Sequence, residues 1–250
     1  METTVHNQLT DILTKLKLSQ FNLFINEVVD KIVTSKISVS EGLLELAEKE
    51  LEFRESNTVK SVLKTAGLPH ALTIDSFDFN FQPSINELEI RELLNLGFIE
   101  NGSNIILSGS SGTGKTMLAC IIGTAAANKR FSMYYIKLDR LIQQLTRAKA
   151  ENKLENKIRN YAKYKLLIID EWGHIEVSRD ECLMLFRLID ARYEKKSTII
   201  TTNLFIDDWD RMFHGKDIFP AIKDRVLHHA KVIHITGKSY RTRHLYAEEN

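Results

Sequence analysis

Apolar positions in the first third of the chain recur at helical spacing. Leu9, Ile12, Leu13 and Leu16 form one such set, and Phe21, Phe24, Ile25, Val28 and Val29 form another. Ser38 followed by Glu41 is a capping-box pair that opens a third helix, expected to run to about Arg54. A further short helix is expected over Thr58 to Thr65, before the break at Gly67-Leu68-Pro69. From there the pattern changes to short apolar runs alternating with longer amphipathic stretches. Strands are expected at Asn104–Ser108, Met133–Lys137, Leu166–Asp170, Ser197–Thr202 and Lys231–Thr236, with helices at Lys115–Asn128, Asp139–Ala150 and Arg179–Lys195. Such alternation implies an α/β fold with a parallel sheet flanked by helices. The expected division is a small all-helical N-terminal domain over 1–66, a linker over 67–76 and a larger α/β domain over 77–250.

Composition changes this picture little. The chain has 250 residues, 43% of them apolar and 27% charged, enough to bury a core without staples. Cys120 and Cys182 lie far apart in no metal spacing, which points to a reducing compartment and no disulfide framework. Residues 1–20 lack the apolar core of a signal peptide, and no run approaches the ~20 apolar residues of a membrane span. A cytoplasmic protein with no membrane partner is expected.

Charge is more informative. The net charge is +1, yet residues 128–165 hold eleven Lys and Arg against three acids, a net of +8. Residues 1–70 carry −2. One internal stretch is therefore strongly basic in a chain otherwise acidic on balance. Arg147, Lys153, Lys157 and Arg159 are its candidate contacts to duplex DNA, because Lys and Arg on phosphates give sequence-tolerant binding. A solvated helix face is the competing reading of any such run.

The chemistry centres on Gly109-Ser110-Ser111-Gly112-Thr113-Gly114-Lys115-Thr116, which fits G-x-x-x-x-G-K-[ST] between an expected strand and an expected helix. The glycines let backbone N–H groups wrap phosphates, and the helix N-terminus adds its positive end. Lys115 is expected to reach the β- and γ-phosphates of ATP, and the Thr116 hydroxyl to ligate Mg²⁺. Some fifty residues on, Leu166 to Ile169 form an apolar strand that delivers Asp170 and Glu171 to its C-terminal end, where open α/β sheets bind ligands. Asp170 is expected to hold the metal through its shell, and Glu171 to orient the attacking water.

Other candidates are weaker on local grounds. Asn203 ends a strand and is either a γ-phosphate or water ligand or a turn residue. Arg225 lies beyond every strand that builds the pocket, so it could act across a subunit boundary, and Arg241 could sense nucleotide in cis. A surface ion pair is the alternative for both. Asp207, Asp208 and Asp210 are best taken as solvated acids around Trp209. His228 and His229 have no Cys or carboxylate at metal spacing and are taken as structural.

Taken together the chain resembles the IstB-like, DnaC-type branch of AAA+ ATPases. The resemblance runs through Asp75-Ser-Phe77-Asp-Phe79 with Gln82-Pro83-Ser84, GSSGTGKT, LLIIDEWG at 166–173, LIDARYEKKSTIITTN at 188–203 and IKDRVLHHAKVIHITGKSYR at 222–241. Trp172 departs from it, standing where a smaller apolar residue is more usual. The resemblance implies catalytic roles for Glu171, Asn203, Arg225 and Arg241, a place near the adenine for Phe77 and Phe79, and an ATP- and DNA-dependent homo-oligomer. It implies a transposition helper that assembles on target DNA and stimulates a cognate transposase. A replicative helicase loader shares the core and is the alternative; a scaffold that holds ATP without turnover, or a small-molecule kinase, fits less well. Only twenty-five residues follow Arg225, so no full C-terminal helical lid is expected.

Overall fold

The structure is a computed structural model describing residues 2–34 and 36–242, which divide into two units, Met1–Ser61 and Val62–Asn250. In the first, α1 (Glu2–Lys15), α2 (Ser19–Val33) and α3 (Val39–Thr65) bury Leu13, Val28 and Leu46. A Cβ on Gly42 would lie 2.7 Å from Ile32 Cδ1, so the missing side chain sets how closely α3 approaches α2. The Ser38–Glu41 capping box opens α3: the Ser38 N–H donates to Glu41 Oε2 (2.7 Å) and the Glu41 N–H to Ser38 Oγ (3.2 Å). The helix then runs unbroken through the expected gap after Arg54. Neither Gly nor Pro interrupts it there, and Thr58 Oγ1 donates back to Arg54 O at 2.9 Å. Buried Glu50 accepts from the Gln20 N–H (2.8 Å) in the first turn of α2, which has no side-chain cap of its own.

The second unit is built on a five-stranded parallel sheet in the order β2-β3-β4-β1-β5. Its strands are β1 (Asn104–Gly109), β2 (Met133–Lys137), β3 (Leu166–Trp172), β4 (Ser197–Thr202) and β5 (Ala230–Ile235). β1, β3 and β4 are almost continuously buried, while edge strand β5 alternates toward its end, as a sheet covered on both faces requires. Ile105, Leu107, Ile168 and Ile199 pack on one face with α6 (Lys115–Asn128) and the short helices α4 (Glu87–Leu93) and α5 (Gly97–Glu100). Ile106, Leu167, Ile169 and Ile200 pack on the other with α7 (Leu138–Ala150), α8 (Leu154–Ala162), α9 (Arg179–Arg192) and α10 (Phe219–Leu227). Trp172 continues β3 into that face, beside Trp209 and Phe213 at ring-centroid distances of 5.5 and 5.2 Å.

Two expectations are corrected. Residues 67–76 are not a free linker. Ala66 is fully buried, its carbonyl accepts from the Tyr135 N–H of edge strand β2 (2.6 Å), and the Leu72 N–H donates to Thr124 Oγ1 (3.1 Å). Ala66 thus pairs a backbone N–H that edge strand β2 would otherwise leave open, and Leu72 fastens the segment to α6. The second correction is the presence of α8 and α10. In α8 a narrow stripe of Leu154, Ile158 and Tyr161 is embedded in charge, and α10 is opened by Pro220 at its start. Among the described residues no helix is long and apolar enough to cross a membrane.

Candidate nucleotide-binding site

β1 ends at Gly109, where φ is +148° and a Cβ would sit 2.1 Å from the backbone oxygen of Ile235; the strands β1 and β5 pair here only because the residue is glycine. The loop closes at Gly114, in the left-handed region (φ +100°) with the Phe77 ring against its Cα: a Cβ would lie 2.7 Å from Phe77 Cε2. α6 starts at once and has no side-chain cap, which leaves its first N–H groups directed at the loop for an anionic ligand. Lys115 is buried and donates through Nζ to the carbonyls of Gly109 (2.7 Å) and Ser110 (2.6 Å). Burial lowers its pKa to about 8; the Asp170 carboxylate opposes that shift and Arg241 adds to it.

Beside the loop, β3 delivers Asp170, which is almost fully buried. Three hydroxyls from three elements donate to its carboxylate: Thr116 of α6 (3.0 Å), Tyr135 of β2 (2.5 Å) and Thr201 of β4. Burial, and then this hydrogen bond, push the Tyr135 phenol far above its ordinary range and keep it a donor. The next residue breaks register. Ile169 pairs with Ile200 and Trp172 with Thr202, so Asp170 and Glu171 oppose Thr201 alone in a β-bulge. Glu171 takes φ +60°, its N–H donates to Thr201 Oγ1 (3.1 Å), and its half-exposed carboxylate pairs with Lys137 Nζ at 2.7 Å.

The remaining walls of the cleft come from both flanks of the domain core. Phe77, Asp78 and Gln82 line it before the sheet, Asn203 directly after β4, and Tyr240 and Arg241 after β5. The Tyr240 N–H donates to Gly112 O (2.9 Å), and Gln82 Nε2 to Lys238 O (2.8 Å), so the segment after β5 lies over the loop. Asn203 Nδ2 is 3.5 Å from His174 Nε2, which also faces the cleft. Phe79 packs on Phe77 with ring centroids 4.9 Å apart and the rings tilted by 58°.

Eleven of the residues picked from the sequence thus line one cleft: Phe77, Ser111 to Thr116, Asp170, Glu171, Asn203 and Arg241. Arg225 does not join them. It lies in the last turn of α10, donating to Asp190 Oδ1 (2.9 Å) and Ala221 O (3.1 Å), with its guanidinium 4.8 Å from the Phe186 ring. Asn104 Nδ2 donates to Val226 O (3.0 Å), which ties this turn to the beginning of β1, at the opposite rim of the sheet from the glycine loop. The four basic candidates sit along the end of α7 and α8. Arg147 and Lys153 share Glu151 (2.8 and 3.2 Å), Lys157 lies 5.2 Å over the Tyr161 ring, and Arg159 faces solvent.

Sequence reasoning missed Tyr135, Thr201, Lys137 and His174. The available signal was small: a Thr inside a fully buried strand must find a hydroxyl partner. It also set His228 and His229 aside for want of a carboxylate, and the fold brings Glu194 to them from another element.

The lowered Lys115 pKa gives a pH test. An anion seated in the loop favours charged Lys115, so bound Lys115 titrates above about 8 and binding takes up a proton between the two values. Nucleotide affinity is therefore expected to hold steady just below pH 8 and to fall above it, approaching about tenfold per pH unit. Isothermal titration at several pH values checks this; an affinity that rises with pH would remove Lys115 as the phosphate ligand.

Comparison with known proteins follows the same lines. The sequence pattern of the family described as IstB-like ATP binding protein matches residues 11–247. The inferred ATP-binding protein of insertion sequence IS232 from Bacillus thuringiensis subsp. berliner is 46% identical over 245 residues, 98% of each chain. That of insertion sequence IS21 from Pseudomonas aeruginosa is 37% identical over 235 residues, 94% of this chain and 89% of its own. A crystal structure of the DnaC helicase loader has a TM-score of 0.53 at 22% identity, covering 73% of this chain and 98% of its own, a likeness that speaks for the fold alone. With its glycine loop, its Asp170 strand and its parallel sheet of AAA+ type, this chain belongs to the IstB-like family of insertion-sequence ATP-binding proteins.

Proposed function

We propose that the protein hydrolyses ATP to ADP and phosphate, assembles in several copies on duplex DNA, and in that state stimulates the transposase of its insertion sequence. The observation that carries the reading is the meeting of Lys115, Thr116, Asp170 and Glu171 at one end of the sheet. Loop N–H groups from Ser111 to Thr116 hold the phosphates. The Lys115 ammonium leaves the Gly109 and Ser110 carbonyls for the phosphate oxygens, which offer it full negative charge. Phe77 and Tyr240 flank the base. A hydroxyl and a carboxylate oxygen 3.0 Å apart are hard donors that fit Mg²⁺, so Thr116 would ligate the ion and Asp170 hold it through its shell. Bound there, it neutralises charge on the β- and γ-phosphates. Glu171 accepts a hydrogen bond from the attacking water once it leaves Lys137, and Asn203 orients that water.

Arg241 serves its own cleft, and Arg225 serves a neighbour's. A six-residue strand is about 20 Å long, more than an arginine can reach, and β1 separates Arg225 from its own loop. Two features support partner contacts. The basic stretch through α7 and α8 exposes Arg147 and Lys153 with 82% and 68% of their side chains open to solvent. In the helical unit, α1 and the turn that ends it expose Val5, Leu9, Ile12 and Leu16 at alternating four- and three-residue spacing, a seam suited to another helix. The relatives are named for insertion sequences, which favours the transposase over a replicative helicase as partner. A protein acting on resident DNA works in the cytoplasm.

Glu171→Gln is expected to keep ATP affinity while turnover falls by roughly 10²-fold or more, with a longer-lived assembly on DNA. A phosphate-release assay beside equilibrium binding reads both, and near-normal turnover removes Glu171 from the chemistry.

Arg225→Ala should bind ATP almost as the parent does, yet hydrolyse it poorly. Mixed with Lys115→Ala protein it should regain part of the lost activity, since each contributes the half that the other lacks. No recovery in a demonstrably mixed assembly would rule out action in trans.

Duplex affinity should fall steeply with salt and depend little on sequence. Neutralising Lys157 and Arg159, which are not tied to Glu151, should flatten the slope of log affinity against log salt by roughly 1.8. An unchanged slope with unchanged affinity withdraws this segment as the DNA surface.

A further inference from the structure

α9 and α10 both end at the rim of the sheet opposite the nucleotide cleft, and both end on residues with unusual backbone. Glu194 follows the α9 cap residue Tyr193 at φ +55°, and His229 follows the α10 cap residue His228 at φ +56°. Neither is glycine, and left-handed backbone is costly for such residues. The outcome is convergence. Glu194 Oε1 lies 3.6 Å from His228 Nδ1 and 3.9 Å from His229 Nε2, the two imidazoles are 3.8 Å apart, and one ligand atom from each residue falls within 4.8 Å of the others. Ligands about 2.1 Å from a tetrahedral zinc stand about 3.4 Å from one another. The two carboxylate–imidazole separations are within about half an ångström of that, and rotation of these exposed side chains brings the three ligand atoms, within 4.8 Å of one another, the rest of the way.

The surroundings favour a fixed site. Arg192, directly before Tyr193, is buried and donates to the carbonyls of Tyr161 (3.0 Å) and Tyr164 (2.8 Å), which anchors the turn that carries Glu194. The Tyr193 hydroxyl is 2.6 Å from His228 Nδ1. That contact orients the His228 ring with Nδ1 beside Glu194, and an ion taken by Nδ1 displaces the hydroxyl. All three side chains are open to solvent, so an ion has an entry path.

We propose that Glu194, His228 and His229 bind one transition-metal dication of the zinc class, with three protein ligands and a fourth position open to water. Two imidazoles and one carboxylate suit such an ion and not Mg²⁺ or Ca²⁺, which take oxygen donors. A bound ion would tie the end of α9 to the end of α10, whose last turn carries Arg225. The site is independent of the nucleotide reading, because none of its ligands touches the cleft.

The test uses the full chain, titrated with Co²⁺ and followed by visible absorption, then with Zn²⁺ in competition with a chromophoric chelator. One equivalent is expected, with the strong d–d bands of a four-coordinate ion. Glu194→Gln and His229→Asn should each weaken zinc binding by about tenfold or more and abolish the bands, while ATP affinity stays as in the parent. Asn is chosen because it tolerates the left-handed backbone at 229. His214→Gln, at a separate histidine–carboxylate pair with Glu176, should change nothing. Absence of binding at micromolar free zinc overturns the proposal, and so does binding that survives the Glu194→Gln/His229→Asn double variant.

Discussion

The buried carboxylate of Asp170 is the constraint around which the nucleotide-binding unit is arranged. An unpaired carboxylate in a core costs several kcal/mol, and this one is almost fully enclosed. Hydroxyls of Thr116, Tyr135 and Thr201 offset that cost, each charge-assisted bond contributing about 1.5–3 kcal/mol, and the Lys115 charge acts in the same direction. The three donors belong to α6, β2 and β4. Satisfying one side chain therefore sets the relative positions of the glycine-loop helix and the two strands beside β3. The site and the core are held by the same bonds, so a substitution that frees Asp170 disturbs both.

Immediately after this anchor the chain turns a second acid the other way. Without the bulge, Glu171 would follow the two-residue alternation of β3 and point into the opposite layer. With two residues opposed to Thr201, it emerges half-exposed at the cleft, its N–H held by the hydroxyl that also serves Asp170. Its pairing with Lys137 has a local cause as well. In the sheet register Lys137 lies beside Asp170 at the end of β2, and its amine is raised in pKa chiefly by the bond to Glu171. The resting site thus holds its charges in internal pairs: Lys115 on loop carbonyls, and Glu171 on Lys137. In the proposed reaction both pairs would be exchanged, for phosphate and for water.

What the sequence made legible is what is contiguous in it. The glycine loop, the apolar run ending in Asp170 and Glu171, and the central strands are each specified within a few residues, and their bounds in the structure differ from expectation by two residues or fewer. Interactions between distant segments were not legible. Tyr135 and Thr201 look like ordinary strand residues until the order β2-β3-β4 sets them on either side of Asp170. Residues 67–76 look like a linker because Gly67 and Pro69 break helix periodicity, yet Ala66 just before them bonds to β2 and Leu72 among them bonds to Thr124 of α6. α8 escaped notice because charge masked its apolar stripe, and Glu194 because thirty-odd residues separate it from the histidines it meets.

The two rims of the sheet divide the labour. Strand C-termini gather the glycine loop, Asp170 and Glu171, whereas strand N-termini gather Arg225, Arg192 and the Glu194 cluster. A β-sheet does not bend enough to bring its own rims together. Under the proposed action in trans, Arg225 would meet nucleotide only on another molecule, and its ion pair with Asp190 would be a parking position. That pair is partly exposed and rests on the Phe186 and Tyr193 rings, so exchanging the carboxylate for a more highly charged phosphate costs little. An arginine preformed in this way, rigid in its helix yet weakly committed, can respond to a neighbour without any refolding of its own chain.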